Sequence, residues 1–247
     1  MNKTAIIIPS RLDALRLPNK PLKLINNKEM ILHVYDAAKK SNIGDVYVAT
    51  PDEKIINLIT NNGGNAILTS SSHQTGTDRV FEVFKNQLKS EPNIIVNLQG
   101  DMPNIDPKVI TDLVLHMNKG ECDIGTLASM FNSKAELKNK NNVKVIVKEK
   151  LNPNIFAKAD DFFRMSTNTY ENIYHHVGIY AFTSKALVRY VSLERSKLEL
   201  ERKLEQLRAL ENNMSIHVGY ISSSPLSVDT KNDLIEVKKI MENENNE

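Results

Sequence analysis

Three cationic side chains follow the first apolar run of the chain at positions suited to binding phosphates. The run Ala5-Ile6-Ile7-Ile8 is typical of a strand buried on both faces, and Arg11, Arg16 and Lys20 lie in the loop after it. In open α/β sheets, ligands bind beyond the carboxyl ends of the strands, where this loop must lie. Arranged around a triphosphate, the cations would stabilise the charge that develops on a departing pyrophosphate. The alternative is a basic surface loop, and the chain contains no Walker sequence.

Another buried strand ends in an acid that is suited to metal binding. In Asn97-Leu98-Gln99-Gly100-Asp101, the carboxylate follows a glycine that lets backbone approach closely, which favours Mg²⁺ held on nucleotide phosphates. Mg²⁺ takes one or two protein carboxylates, and Asp229 is the best second candidate. Because Asp229 stands just before a predicted helix, helix N-capping is its alternative role.

Two further segments carry hydrogen-bonding groups. His73-Gln74-Thr75-Gly76-Thr77-Asp78-Arg79 could recognise a base or a sugar hydroxyl, or it could serve only as a helix cap. His175-His176-Val177-Gly178-Ile179-Tyr180 supplies imidazole and phenol groups. The six histidines and single cysteine are scattered, so no zinc site is predicted, and no nucleophile elbow or triad order supports a hydrolase.

These residues need a scaffold, and the first half of the chain predicts a βαβ series. Apolar strands at 5–8, 46–49, 66–68 and 94–97 alternate with helical periodicity around 30–38, 55–59, 80–84 and 107–116. We therefore predict an α/β fold with a Rossmann-like, mostly parallel sheet flanked by helices. Beyond residue 123 the pattern indicates mixed strands, loop and edge structure over 151–172, and one helix over 198–210. We expect a single domain over 1–247 with a small inserted lobe at about 131–175.

Composition excludes several classes of protein. The chain has 247 residues, a net charge of +2 and one cysteine. So small a charge argues against a nucleic-acid-binding protein, and one cysteine fits a reducing compartment. No apolar run approaches the roughly 20 residues of a membrane span. We expect a cytoplasmic protein without membrane or nucleic-acid partners.

Taken together, seven motifs resemble the 3-deoxy-manno-octulosonate (Kdo) cytidylyltransferase family, and they occur in the family's order. The resemblance runs from Ile6 to about Ile240. The motifs are Ile7-Ile8-Pro9-Ser10-Arg11, Arg16-Leu17-Pro18-Asn19-Lys20-Pro21-Leu22, His73-Gln74-Thr75-Gly76-Thr77-Asp78-Arg79, Val96-Asn97-Leu98-Gln99-Gly100-Asp101, His176-Val177-Gly178-Ile179-Tyr180, Leu204-Glu205-Gln206-Leu207-Arg208 and Val228-Asp229-Thr230.

The resemblance implies a nucleotidyltransferase fold, a homodimer and transfer of CMP from CTP to the anomeric hydroxyl of Kdo. It assigns Arg11, Arg16, Lys20 and Asp101 to catalysis, and Asp101 and Asp229 to Mg²⁺. The implied CTP-binding residues are Ser10, Arg11, Arg16, Lys20, Gln74, Thr75, Gly76, Arg79 and Gln99. The implied sugar-binding residues are Gln99, His176, Tyr180, Glu205 and Gln206.

The chain departs from the family pattern in the phosphate loop and in the second half. Asp13-Ala14-Leu15 replaces small hydroxyl residues, Asn19 replaces a glycine and Met102 replaces an acid found in many members. Lys158 stands where the family carries an arginine, which would lose a bidentate grip on carboxylate while keeping the charge. These changes leave two alternatives open: the same chemistry on a related acid such as amino-Kdo or a sialic-type sugar, and a CTP-binding paralogue without turnover.

Overall fold

The structure is a computed structural model that describes residues 3–13, 16–89, 91–153, 155–165 and 171–244. The chain divides into two compact units. One comprises Lys3–Thr111 with Pro225–Glu247, and the other comprises Asp112–Ser224. We call the first the nucleotide unit, because it contains the predicted CTP-binding residues, and the second the central unit. The predicted inserted lobe lies within the central unit, and its status as an insertion stays a prediction.

The nucleotide unit is built on a parallel sheet of four strands in the order β5-β4-β1-β6. The strands are β1 (Thr4–Pro9), β4 (Asp45–Thr50), β5 (Ala66–Leu68) and β6 (Ile94–Asn97). A short hairpin of β2 (Leu24–Ile25) and β3 (Lys28–Glu29) precedes the first helix. Ile6, Ile7 and Ile8 are fully buried, as expected for a strand covered on both faces.

The helices of this unit are α1 (Met30–Lys40), α2 (Glu53–Asn61), α3 (Gly76–Glu82) and α9 (Lys231–Glu244). A single π-helical turn, Val83–Gln87, extends α3. The helix α4 (Pro107–Met117) leads into the central unit. These elements confirm the predicted βαβ series, since each predicted strand and helix of the first half is present.

The central unit has a mixed sheet. Its strands are β7 (Ile124–Ser129), β8 (Lys144–Val147), β9 (Phe156–Phe163), β10 (Ile173–Thr183) and β11 (Ile216–Tyr220). They pair in the order β10-β7-β11-β9-β8, and β8 pairs again with β10, so the ladder closes on itself. Only β7 and β11 run parallel. The helices are α5 (Lys134–Lys138), α6 (Ser184–Ser192), α7 (Lys197–Arg202) and α8 (Gln206–Glu211). The α/β prediction is confirmed, with the parallel pattern strongest in the nucleotide unit.

Two predictions for the central unit are wrong. The segment 151–172, expected to be loop and edge structure, contains the eight-residue strand β9. The single helix expected over 198–210 is two helices, because Lys203 adopts the left-handed conformation with φ of 54° and ends α7.

No helix in the described part of the chain is both long enough and apolar enough to cross a membrane.

Candidate active site

A pocket of about 590 Å³ opens in the nucleotide unit, at the carboxyl ends of β1 and β6. The predicted CTP-binding residues and both predicted metal ligands line it. The lining residues among them are Ser10, Arg11, Arg16, Lys20, Gln74, Thr75, Gly76, Arg79, Gln99, Asp101 and Asp229. The Ser10 hydroxyl is buried and has no hydrogen-bond partner within the described residues, so the pocket wall keeps a polar group available for a ligand.

The basic loop is held in place by an apolar anchor. Leu17 is 7% exposed and belongs to a buried cluster with Ile25, Met30, Val228, Leu234 and Val237. The anchor lies between Arg16 and Lys20 in the sequence, so burial of Leu17 holds both cations at the pocket. Leu12 O accepts from Asn19 N at 3.3 Å and closes the loop. Sequence reasoning missed Leu17, whose only signal is an apolar residue inside a polar loop.

Lys20 lies between the two predicted metal ligands. Its Nζ donates to Asp101 Oδ2 at 2.9 Å and to Asp229 Oδ1 at 3.1 Å, while Arg16 donates to Asp229 Oδ2 at 2.9 Å. Burial opposes the charge on Lys20, but the two carboxylates outweigh it and raise the pKa of Lys20. Burial also opposes ionisation of Asp229, but Lys20 and Arg16 hold its pKa below the ordinary value.

The backbone fixes the two acids relative to each other. Val228 N donates to Asp101 O at 2.9 Å, which ties the loop after β6 to the segment before α9. Thr230 Oγ1 accepts from Asp233 N at 3.3 Å, and the Asp233 carboxylate accepts from Asp229 N and Thr230 N. Thr230 and Asp233 therefore cap α9, and the alternative role of Asp229 as the capping side chain is wrong.

The acid pair fits a divalent cation. Two carboxylates from separate loops converge on one ammonium nitrogen, so their oxygens face a common position that a cation already occupies. Mg²⁺ prefers such oxygen ligands and accepts one or two of them alongside phosphates and water. Met102, at the position where the family often has an acid, is buried.

The segment before α3 supplies donors at the opposite wall. Thr75 caps α3 in a capping box with Asp78, and a side chain on Gly76 would lie 3.3 Å from Pro9 Cγ. Gln99 Nε2 donates to Asn97 Oδ1 at 2.9 Å, which orients the amide. Arg79 is 3% exposed and donates to Thr69 Oγ1 and to Ser70 O. Its guanidinium therefore anchors the preceding loop as well as lining the pocket.

The predicted sugar-binding residues other than Gln99 belong to the central unit. His176 and Tyr180 are buried on β10 with ring centroids 5.5 Å apart, on either side of a register shift between Val177 and Tyr180. Thr126 Oγ1 donates its single hydrogen to Ile179 O at 2.7 Å, so it must accept from His176 Nε2. Because a neutral imidazole has one N–H, His176 Nδ1 is then an acceptor. Burial lowers the pKa of His176 to about 3, so the ring is neutral.

The remaining two sugar-binding candidates precede and begin α8. Burial, followed by the charge of the Glu205 carboxylate, raises the pKa of the Tyr180 phenol. Gln206 is buried, and its Nε2 has no acceptor among the residues that the structure describes. A buried amide donor without an acceptor is what a ligand oxygen would satisfy. The structure thus groups His176, Tyr180 and Glu205 in one unit and gathers the CTP and metal candidates in the other.

Fold and site together define the class. A nucleotide-sized pocket at the carboxyl ends of parallel strands, lined by cations that are ion-paired with two convergent carboxylates, is typical of α/β nucleotidyltransferases.

Comparison with known proteins narrows the class to a family. The cytidylyltransferase family model matches residues 5–216. The 3-deoxy-manno-octulosonate cytidylyltransferases of Brucella anthropi and Brucella ovis are each 42% identical over 234 residues, covering 94% of this chain and 94% and 93% of those proteins. A solved structure described as CMP:2-keto-3-deoxy-manno-octonic acid synthetase complexed with CTP is 34% identical, with a TM-score of 0.89 over 98% of this chain and 99% of that one. The chain belongs to the cytidylyltransferase family.

Proposed function

We propose that this protein transfers CMP from CTP to the anomeric hydroxyl of Kdo, giving CMP-Kdo and pyrophosphate. The observation that carries the proposal is the convergence of Arg16, Lys20, Asp101 and Asp229 in one pocket of a chain that is 42% identical to Kdo cytidylyltransferases. In this reaction the sugar oxygen forms a bond to the α-phosphorus of CTP, the bond to the β-phosphate oxygen breaks, and the hydroxyl proton passes to solvent.

The cations of the basic loop stabilise the leaving pyrophosphate in this proposal. Arg11 is exposed at the pocket and Arg16 and Lys20 are held there by the buried Leu17, so three charges are available before the nucleotide arrives. Preorganised charge of this kind lowers the barrier because no reorganisation is needed as negative charge develops. Ser10 and the 74–79 segment would frame the cytidine.

Asp101 and Asp229 would hold Mg²⁺, which supplies positive charge to the phosphate oxygens when it is bound. For that to happen, Lys20 and Arg16 must exchange their carboxylate partners for phosphate oxygens. The exchange is electrostatically balanced. Phosphate oxygens replace the carboxylates as the negative partners of Lys20 and Arg16, and the metal replaces the two cations as the positive partner of the acids.

His176, Tyr180, Glu205, Gln206 and Gln99 are proposed to bind the sugar acid. Their neutral imidazole acceptor, phenol, carboxylate and amides match a polyhydroxylated ligand. Lys158, exposed on β9, keeps a positive charge at the position of the family's arginine. Asp13 is exposed and lines the pocket, and neither Arg16 nor Lys20 forms with it the ion pairs that they form with Asp101 and Asp229.

The use of CTP supports a cytoplasmic location, and the homodimer implied by the resemblance is part of the proposal. Light scattering of the purified protein tests the dimer. A mass near 56 kDa, twice the 27.9 kDa chain, is expected, and a monomer mass would contradict it.

The substrate is tested by measuring pyrophosphate release with CTP and Mg²⁺ against Kdo, amino-Kdo, a sialic acid and a no-sugar control. Release with Kdo alone is expected. Release only with another acid would assign the same chemistry to that sugar. Binding of CTP without release with any acid would favour the paralogue without turnover.

A further inference from the structure

The central unit brings together three side chains with metal-binding chemistry, two of them near each other in the sequence and the third about a hundred residues away. His116 lies near the end of α4, Cys122 precedes β7 and His217 lies on β11. Strands β7 and β11 are parallel neighbours, with His217 in register with Gly125. Because Gly125 has no side chain, α4 approaches β7 closely: a Cβ there would lie 2.8 Å from Met117 Sδ. The expectation that the scattered histidines and the cysteine form no such constellation is therefore wrong.

The distances among the three side chains are close to those of a metal site. His116 Nε2 and His217 Nδ1 share a hydrogen bond of 3.1 Å, and one ligand atom from each of the three residues lies within 4.8 Å of the others. Two imidazole nitrogens on one tetrahedral Zn²⁺ are about 3.3 Å apart, given Zn–N bonds of about 2.0–2.1 Å. The nitrogens are therefore already near ligand spacing, and the sulfur, within 4.8 Å of each nitrogen, is at most roughly 1 Å farther from them than in a tetrahedral site.

The surroundings of the cluster exclude water and keep the thiol neutral until a cation binds. Burial raises the pKa of Cys122 to about 12, and the backbone N–H groups of His217 and Ile124 offset only part of that rise, so a coordinated metal would be needed to form the thiolate. Met117 Sδ lies 3.5 Å from Cys122 Sγ, so a second sulfur borders the cluster. Phe156 stacks on the His116 ring at 3.7 Å between centroids and shields it from water. His116 and Cys122 are buried, and His217 is half-buried.

We propose that His116, Cys122 and His217 form a binding site for a thiophilic metal ion of the Zn²⁺ type, distinct from the acid pair of the nucleotide unit. Two imidazoles and one thiolate are ligands that Zn²⁺ prefers, whereas Mg²⁺ prefers oxygen ligands. Binding forms two metal–nitrogen bonds and one metal–sulfur bond. The thiol proton is released to solvent, and the proton in the hydrogen bond between the two imidazoles moves to the other nitrogen of its ring. Met117 or a water completes the tetrahedron. Because the ligands come from three elements, the ion would fasten the end of α4 to β7 and β11.

Cobalt substitution tests the site directly. The full chain, purified without a histidine tag and stripped with a chelator, is titrated with Co²⁺ and followed by absorption. We expect a thiolate-to-cobalt band in the near ultraviolet that saturates at about one equivalent. Cys122 is the only cysteine, so the band has one possible source. Added Zn²⁺ should abolish the band and raise Tm by about 5 °C at saturation.

Three variants complete the test. C122S should lose the band, and H217N should weaken Co²⁺ binding at least tenfold. H33Q is the matched control, because His33 Nε2 donates to Ile25 O in the other unit, far from the cluster in the sequence, and the substitution should leave the titration unchanged. Circular dichroism of the metal-free variants checks that they fold, and if C122S does not, the half-buried H217N carries the test. No band in folded wild-type protein would overturn the proposal, and so would a band that H217N leaves at unchanged affinity.

Discussion

Lys20 is the residue on which the acid pair converges. Without nucleotide, its ammonium and the Arg16 guanidinium neutralise Asp101 and Asp229. The same arrangement keeps the two cations close to where a triphosphate must bind and keeps the two acids close to each other. We therefore expect the resting ion pairs to be exchanged, not created, when nucleotide and metal arrive.

Substituting Asp101 with Asn tests the metal role at this residue. We expect D101N to lose turnover by at least a hundredfold and to bind CTP more weakly in the presence of Mg²⁺, because one of two carboxylate ligands is gone. Steady-state pyrophosphate release and calorimetric CTP titration measure the two effects. D106N is the matched control, since Asp106 accepts from Lys108 N at the start of α4 and asparagine keeps that cap. Near-normal turnover by D101N would remove Asp101 from the metal role.

The pKa shifts of the cluster predict how stability responds to acid. The folded pKa of Asp229 is below its ordinary value of 3.8, so its contribution to the free energy of unfolding is present above pH 3.8 and is lost as the pH falls through the folded value. D229N should therefore show a smaller decrease in stability between about pH 5 and pH 2 than wild type. Urea unfolding across that range measures it, with D13N, an exposed acid of the same pocket, as the control. An equal loss of stability between pH 5 and pH 2 in D229N and wild type would contradict the prediction.

Asn19 lies in the basic loop at the position where the resemblance to the Kdo cytidylyltransferase family implies a glycine. It adopts the left-handed conformation with φ of 55°. Asparagine is one of the few residues other than glycine that visit this conformation readily. The sequence alone could not show this, because the need for a positive φ is visible only in the backbone.

The sequence does not reveal the break between α7 and α8. Leu200, Leu204, Leu207 and Leu210 follow helical spacing across it, which is why one helix was predicted. The signal could not reveal that Lys203 turns left-handed, since lysine is not a residue that usually ends a helix in this way.

Replacing Lys203 with glycine tests that backbone conformation. Glycine adopts positive φ without the steric cost that lysine pays, so K203G should raise the free energy of unfolding by about 0.5–1 kcal/mol. Urea unfolding measures it. K239G, at an exposed position in the middle of α9, should instead lower the free energy of unfolding by about 1 kcal/mol. Destabilisation by K203G equal to that of K239G would contradict the left-handed turn.

The two short helices are joined by a buried ion pair. Glu199 on α7 is fully buried, and Arg208 on α8 donates to its two oxygens at 2.7 Å and 2.8 Å. Arg195 donates to the same carboxylate at 3.0 Å. The pair holds α7 against α8 next to Gln206, one of the proposed sugar-binding residues.

Neutralising Glu199 should therefore be costly. E199Q leaves the Arg208 charge buried without its counterion and should lower the free energy of unfolding by about 3–5 kcal/mol. E201Q removes the acid of the exposed Lys197–Glu201 pair on the same helix. It should change the free energy of unfolding by less than about 1 kcal/mol. Chemical denaturation of both variants measures the difference, and equal effects would show that Glu199 contributes no more than a surface charge.

Elements with strong apolar runs were predictable, and β9 was not. Its buried positions include Ala157 and Ala159, which alternate with the exposed Lys158 and Asp160. Alanine is a weak signal for a strand, so the alternation resembled a polar loop. The prediction failed where burial depends on small residues, and it succeeded at β1, where three isoleucines are fully buried.

At the scale of the whole molecule, the nucleotide pocket was the most predictable feature. Its residues follow the ends of successive parallel strands, and that topology brings them together without any need for tertiary detail. The His116–Cys122–His217 cluster was not predictable, because His116 and His217 are 101 residues apart and meet through the approach of a helix to a glycine.

The most direct test of the account follows the phosphorus atoms of CTP. Purified protein is incubated with CTP, Kdo and Mg²⁺, and the reaction is monitored by ³¹P nuclear magnetic resonance. We expect the triphosphate resonances to disappear while one pyrophosphate and one sugar phosphodiester appear in equal amounts, and only when Kdo is present. Unchanged CTP, or release of inorganic phosphate in place of pyrophosphate, would contradict it.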